Sequence, residues 1–314
     1  MRILTDIIAA LLGLTIFIMG LRVMSDGLQG TLGHTLRFWL GKLTVNPVAG
    51  ILTGTVATAF VQSSSAVAVM MVALVHANVL TLYQAFGIIL GANIGTTVTA
   101  QIVSFNMSQF ALPLMICGLF MLPLNKKTYA YSSLLVGLGA LFYGLALLRL
   151  ALSPLLHYPL VRTWMLALAN SVYLAIFVGI VLTALVQSSS AVTGLVIALA
   201  HEGGISLLAA VSIALGSNIG TVATTLISSI GLEKQARATA YADLLFNVLG
   251  VLLILPFIHP FVILIETTST DAARQIANAH TIFNGITALA AIPFIGFLGR
   301  LSSRWAGIHQ DRPN

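Results

Sequence analysis

The chain has 314 residues, 58% of them hydrophobic and only 7% charged, with a mean hydropathy of +1.03. Soluble domains carry roughly 25% charged residues, so a water-soluble enzyme or binding module is excluded. The net charge of +6 comes from basic residues set singly along the chain, with one adjacent pair. That is the charge-biased loop pattern of a membrane protein, and no basic cluster of nucleic-acid type occurs.

Apolar runs of about 20 residues, the length of a membrane-crossing helix, recur from end to end. Spans in lipid are either helices or closed barrels, and barrel strands would be about ten residues of strict alternation. The expected fold is therefore an all-α polytopic membrane protein.

In chain order, Arg2 is followed by an apolar run to Met24. It mimics a signal peptide but ends in no small-residue cleavage site, so it is expected to stay as the first helix. Arg22, Arg37 and Lys42 are expected in short loops. From there to the Lys126–Lys127 pair no Lys, Arg, Asp or Glu occurs. Inside this neutral stretch stands "TAFVQSSSAV" (58–67), a glutamine and three serines in apolar surroundings. Pro47, Gly50 and Gly54 favour a re-entrant hairpin over 44–61 and 66–76. A turn follows at His76–Asn78, then a return leg leading to "GANIGTTVT" (91–99). Cys117 allows no internal disulfide, and its setting, "LMICGLF", predicts a packing residue.

The pattern then returns. "TALVQSSSAV" (183–192) and "GSNIGTVAT" (216–224) repeat both motifs at a displacement of 125 residues, and His201 falls on His76. Residues 54–105 align with 179–230 without a gap, with about half the positions identical. "FIMGLRVM" (17–24) and "FYGLALLR" (142–149) extend the match. The expected organisation is two homologous, inverted repeats, 1–130 and 131–255, with C-terminal helices and a short polar tail over 256–314. Duplicated halves are a common plan of secondary transporters. Helix packing alone would explain one Ser-rich patch, but it does not explain two motifs kept twice at one spacing.

Depth arithmetic favours a site. Ser63 to His76 spans about 21 Å as helix, against about 15 Å for half the hydrocarbon thickness. With the histidine turns at an interface, all four polar motifs converge near the midplane. The histidines themselves are expected at helix C-termini near the headgroups. Ser, Gln, Asn, Thr and Gly are expected to break helices there, which is tolerated at depth only beside a cavity or buried protein. Broken ends expose N–H groups to an anion and carbonyls to a cation, and hydroxyls and amides serve both. An uncharged site of this kind suits a cation and an anion that arrive together, which predicts symport of an anion with Na⁺.

"VQSSSA" followed by "GANIGTT", then "VQSSSA" followed by "GSNIGT", resembles the type II sodium–phosphate cotransporter family over nearly all of residues 10–295. "FIMGLRVMSDGLQ" (17–29) is similar to that family's opening helix. The resemblance implies Na⁺-coupled movement of inorganic phosphate by a multi-pass protein of the bacterial plasma membrane, with the Gln-Ser-Ser-Ser segments at or near hairpin tips. By position, Ser63, Ser64, Ser65, Ser188, Ser189 and Ser190 would line the phosphate and sodium sites. Gln62 and Gln187 would coordinate Na⁺ or brace the tips, and Asn93, Thr96, Asn218 and Thr221 would supply a second pair of breaks and Na⁺ ligands. No cofactor is implied beyond Na⁺ as coupling ion. Many bacterial relatives carry a further cytosolic helical domain, which is not expected here.

Two departures bear on function. Thr97 becomes Val222 in the second copy, and "YADLLFN" (241–247) has Asp243 where "NAHTIFN" (278–284) has His280. Asp243 is either a coupling residue or a helix-end residue beside Lys234 and Arg237. Two alternatives stay open: a phosphate exporter, or a carrier of another oxyanion such as arsenate, on the same scaffold. A remote third is an intramembrane serine hydrolase pairing Ser63 or Ser188 with His76 or His201. Its nucleophile and base would lie about 20 Å apart.

Overall fold

The computed structural model describes residues 2–42, 46–105, 107–122 and 126–308, and among them it contains helices and no strand. The helices are α1 (Arg2–Lys42), α2 (Pro47–Val61), α3 (Ser64–His76), α4 (Leu82–Val103), α5 (Ala111–Met121), α6 (Lys126–Leu155), α7 (Pro159–Asn170) and α8 (Val172–Val186). They continue with α9 (Ser189–His201), α10 (Leu207–Ser228), α11 (Lys234–Ile254), α12 (Ile258–Glu266), α13 (Ala272–Ala291) and α14 (Ile295–Trp305). Six helical stretches among the described residues are long and apolar enough to cross a bilayer. Their outer faces carry exposed Leu, Ile and Phe, which is the surface lipid requires and water would penalise. The protein is a multi-pass α-helical membrane protein.

The repeat is visible in the backbone. α2, α3 and α4 begin and end at positions 125 residues before α8, α9 and α10. At about 22 Å and 20 Å, α2 and α3 are each too short to cross a hydrocarbon core of about 30 Å. Glycines set the direction of the chain here. A Cβ on Gly54 would fall 2.0 Å from the Ile88 carbonyl oxygen, and one on Gly91 would fall 1.9 Å from that of Ile51. Gly50 comes against Gly87 at one end of this seam and Gly95 against Thr55 and Thr58 further on, so α2 and α4 run parallel with their backbones touching. The turn after His76 folds α4 back along α3, with Val67, Met71 and Val75 clustered against Ala85, Ile88 and Ala92. The chain must therefore reverse between α2 and α3, and the pair is a re-entrant hairpin. α8 and α9 repeat it, and a Cβ on Gly216 would fall 2.0 Å from the Ile176 carbonyl oxygen.

The helices before the hairpins complete the symmetry. Gly13, Gly20 and Gly27 of α1 meet the backbone at Leu148, Leu141 and Leu134 of α6. One residue number rises as the other falls, so these matching helices are antiparallel and the repeats are inverted. Phe17, Met24, Leu141, Phe142 and Leu148 join Val192 and Val196 of α9 in one core. α7, which has no counterpart ahead of α2 among the described residues, meets α8 at 114°.

Several expectations need correction. The glycines at 91, 95, 216 and 220 do not break helices: α4 and α10 are continuous, because those positions are used for close contact with α2 and α8. Arg22 and Arg149 lie within α1 and α6 rather than in loops, and Arg149 pairs with Glu202 at 3.1 Å. Cys117 is exposed on the outer face of α5 instead of packed. Asp243 is not a helix-end residue: it is buried in the middle of α11, where Thr225 Oγ1 and Asn247 Nδ2 donate to its carboxylate at 3.0 and 2.9 Å. The side chains of Arg2, Arg37, Lys42, Lys126 and Lys127 and the tail with Arg312 lie outside the described residues.

Candidate functional site

Each hairpin tip is made by two residues. Gln62 closes α2 in the left-handed region (φ 57°), its N–H donating to the Thr58 carbonyl at 2.7 Å. Gln187 closes α8 in the same way (φ 56°), donating to Thr183 at 2.7 Å. A left-handed non-glycine residue costs on the order of 1 kcal/mol and persists only where its surroundings demand it. The demand is immediate, since the next residue opens another helix. Ser63 and Ser188 are extended, and their Oγ atoms accept from the N–H groups of Ala66 and Ala191, both at 3.2 Å. These are N-caps in the ordinary sense. The first turns of α3 and α9 are thereby aimed out of the tips, with their uncommitted N–H groups and positive dipole ends.

Both tips open on one cavity of about 360 Å³. Ser63, Ser64, Ser65, Ser188, Ser189, Ser190, Gln62, Gln187 and Thr96 all line it. The hydroxyls of Ser64, Ser65, Ser189 and Ser190 have no hydrogen-bond partner among the described residues, whereas those of Ser63 and Ser188 are engaged in capping and keep one hydrogen to donate. Here two helix N-termini and six hydroxyls face the same small volume. Such a volume can solvate an anion without water, and the carbonyl and amide oxygens beside it can hold a small cation.

The two glutamines are not equivalent. Gln62 is buried: its Nε2 donates to the Ala59 carbonyl, and its Oε1 accepts from Thr99 Oγ1 at 2.6 Å. Gln187 is exposed to the cavity, and Thr224, which matches Thr99, has a buried hydroxyl with no partner. The first tip is thus latched to α4 and the second is unlatched from α10. Replacing Thr99 by Val removes the donor to a buried acceptor, a loss of about 1–3 kcal/mol. Thr224→Val removes only an unpaired hydroxyl and should be neutral or slightly stabilising. Apparent Tm values of the two variants in detergent check the contrast, and equal losses would contradict it.

Other expected residues lie elsewhere. Asn93 donates to its own helix at Ile89, and Thr221 donates to Ser217. Asn218 Oδ1 lies 3.1 Å from His280 Nε2, a contact between α10 and α13. Of the second motif, only Thr96 reaches the cavity. The reason is again that α4 and α10 are unbroken, so successive motif residues point to different sides. Among the described residues no histidine lines the cavity, and His76 and His201 end α3 and α9 at the far side from the serines. A serine nucleophile with a histidine base is not assembled.

Sequence reasoning missed one wall. Ile18, Leu21, Arg22, Ser25 and Asp26 of α1 also line the cavity, so the expectation of an uncharged site does not hold. Ser25 Oγ donates to the Val61 carbonyl at 2.5 Å, tying α1 to the first tip. The signal was present: an Arg and an Asp one turn apart in an apolar helix, where charge is tolerated only towards protein or a watery cavity.

Comparison with known proteins bears on the family. The family model described as Na⁺/Pi-cotransporter matches twice, over residues 16–150 and 155–291. An uncharacterized Bacillus subtilis protein, YqeW, is 33% identical over 286 residues, which is 91% of this chain and 93% of its own. YjbB of Salmonella typhimurium, whose name proposes inorganic phosphate export, is 27% identical over 95% of this chain. The match spans 55% of YjbB, about half the length of that relative. The sodium-dependent phosphate transport protein 2A of Oryctolagus cuniculus is 38% identical over 93 residues, 29% of this chain and 14% of its own. No solved structure matches.

Proposed function

The chain belongs to the Na⁺/Pi-cotransporter family, and from that premise we propose that it carries inorganic phosphate, coupled to Na⁺, across a bacterial inner membrane. The observation that supports this most is the meeting of both serine triplets in one cavity at the tips of inverted hairpins. Phosphate is received by the hydroxyls of Ser64, Ser65, Ser189 and Ser190 and by the N-termini of α3 and α9. Ser63 and Ser188 shape the tips and donate one hydrogen each. Na⁺ is held by oxygens within the same cavity, those of Thr96 and Gln187 first, with Gln62 bracing its tip. Bound together, the two ions partly cancel each other's charge, which lowers the cost of carrying either through a low-dielectric interior. Inverted hairpins rocking about this shared point would open it alternately to the two sides.

Asp243 is a candidate for coupling rather than for phosphate contact. It is a buried carboxylate with two neutral donors and no cationic partner among the described residues. Export of phosphate is the second reading, favoured by YjbB's name. It needs no different site, since a carrier runs down the summed gradients of its ions.

The test is radiolabelled phosphate uptake into proteoliposomes with and without an inward Na⁺ gradient. Concentrative uptake that collapses when choline replaces Na⁺ is expected. Uptake indifferent to Na⁺ would remove the coupling, and no phosphate movement in either direction would remove the substrate.

A further inference from the structure

The duplication supplies the serines twice but the charges once. Arg22 and Asp26 stand one turn apart on α1, about 6 Å along its axis, and both face the cavity. Gly20 meets Leu141 as Gly144 meets Phe17, which relates α1 to α6 at a displacement of 124, and the positions corresponding to Arg22 and Asp26 are Ala146 and Leu150. Neither charged side chain has a hydrogen-bond or ion-pair partner among the described residues, and they do not pair with each other. Between them, Ser25 fixes the helix to the first tip, with Gln29 Nε2 donating to Ser25 Oγ at 2.9 Å. So a guanidinium and a carboxylate stand exposed and unpaired on one wall of a volume otherwise made of neutral donors.

This arrangement makes chemical demands on its occupant. Arg22 and the serines offer only attraction to an oxyanion. Asp26 offers only acceptor oxygens, and an oxyanion beside it is repelled unless it carries a hydrogen to donate. Hydrogen phosphate and hydrogen arsenate carry one at neutral pH, and sulfate carries none. Resting on the phosphate reading above, we infer that Arg22 and Asp26 set the selectivity of the cavity: Arg22 supplies the charge that holds a tetrahedral oxyanion, and Asp26 admits only one that bears a proton. A site that closes over such a hydrogen bond rejects an analogue lacking it by large factors, because the polar group enclosed with the ligand is then left opposed or unpaired. Arg22 and Asp26 are exposed on the cavity wall here, and the hairpins closing over the occupant supply that enclosure.

The experiment uses the intact chain in proteoliposomes, with phosphate uptake challenged by arsenate, sulfate and fluorophosphate at mildly alkaline pH. Fluorophosphate has nearly phosphate's shape and charge but no proton there. Against the wild type, arsenate should compete, and sulfate and fluorophosphate should be weaker by about a hundredfold or more. Asp26→Asn, which offers sulfate a donor, should bring both weak competitors to within about tenfold of phosphate. Arg22→Gln should raise the KM for phosphate about tenfold or more, with Arg22→Lys recovering most of the loss. Fluorophosphate competing as well as arsenate against the wild type would overturn the inference, and so would unchanged sulfate exclusion in Asp26→Asn. If that variant is not recovered folded, the fluorophosphate result alone decides. A wild type that moves no phosphate would overturn the phosphate reading itself, a different outcome from phosphate uptake that sulfate inhibits.

Discussion

Ser64→Ala and Ser189→Ala should each lower Na⁺-driven phosphate uptake by about 10- to 100-fold while leaving the yield of monodisperse protein unchanged. The magnitude follows from the bond removed. A hydrogen bond from a hydroxyl to a charged acceptor is worth about 1.5–3 kcal/mol. The separation from folding follows from the structure. Neither hydroxyl has a partner among the described residues, so deleting it leaves no buried group unsatisfied, and alanine is a better helix former than serine. Ser63→Ala and Ser188→Ala should behave differently. Those serines cap α3 and α9, so their loss should cost about 1 kcal/mol of stability as well as activity. The measurement is initial-rate uptake beside apparent Tm for the four variants. Wild-type uptake in both Ser64→Ala and Ser189→Ala would remove the serines from the site. A fall in only one of the two would mean that the hairpins do not share the substrate.

The convergence of the two Gln-Ser-Ser-Ser segments could be read from the sequence because three independent rules agreed on it. The repeat displacement fixed equal positions in two halves, the distance from the histidine turns fixed a depth, and the family resemblance, beside the helix-breaking preference of serine, put the segments at hairpin tips. The structure places Gln62 and Gln187 in the left-handed region and Ser63 and Ser188 as caps, which is that preference expressed as backbone geometry. What the sequence could not carry was which side of an unbroken helix a residue faces. Asn93, Asn218 and Thr221 look as polar as the serines on paper, yet they turn away into helix contacts. Arg22, expected in a loop, and Asp26, overlooked, both turn in. Apolar periodicity normally resolves such questions, but a helix buried on several sides has no polar face to mark the solvent. Asp243 was open for the same reason: its neighbours along the chain, Lys234 and Arg237, said nothing of Thr225 across the helix interface.

The second large effect concerns the glycines of the other motif. Gly91→Ala and Gly216→Ala should each destabilise the protein by about 3 kcal/mol or more, and little folded material should be recovered. Overpacking a well-packed contact typically costs about 1–3 kcal/mol, and here the obstacle is rigid. The new methyl would lie 1.9 Å from the Ile51 carbonyl oxygen in one case and 2.0 Å from that of Ile176 in the other, so no side chain can swing aside. α2 would have to part from α4, or α8 from α10, along the whole seam, because Gly95 and Gly220 sit one turn on against Thr55 and Ile180. Gly285→Ala, on α13 with nothing near its would-be Cβ, is the matched control and should gain slightly from helix propensity. Yield after size-exclusion chromatography and apparent Tm distinguish the two classes. Gly91→Ala recovered with a wild-type Tm would contradict the parallel contact from which the hairpin itself was deduced. The consequence reaches the site: α4 and α10 hold the tips together only while their glycines let the backbones touch. A seam opened by one methyl should displace the serines before it unfolds the chain. A weakly folded Gly91→Ala should accordingly lose phosphate uptake at temperatures where its helices persist.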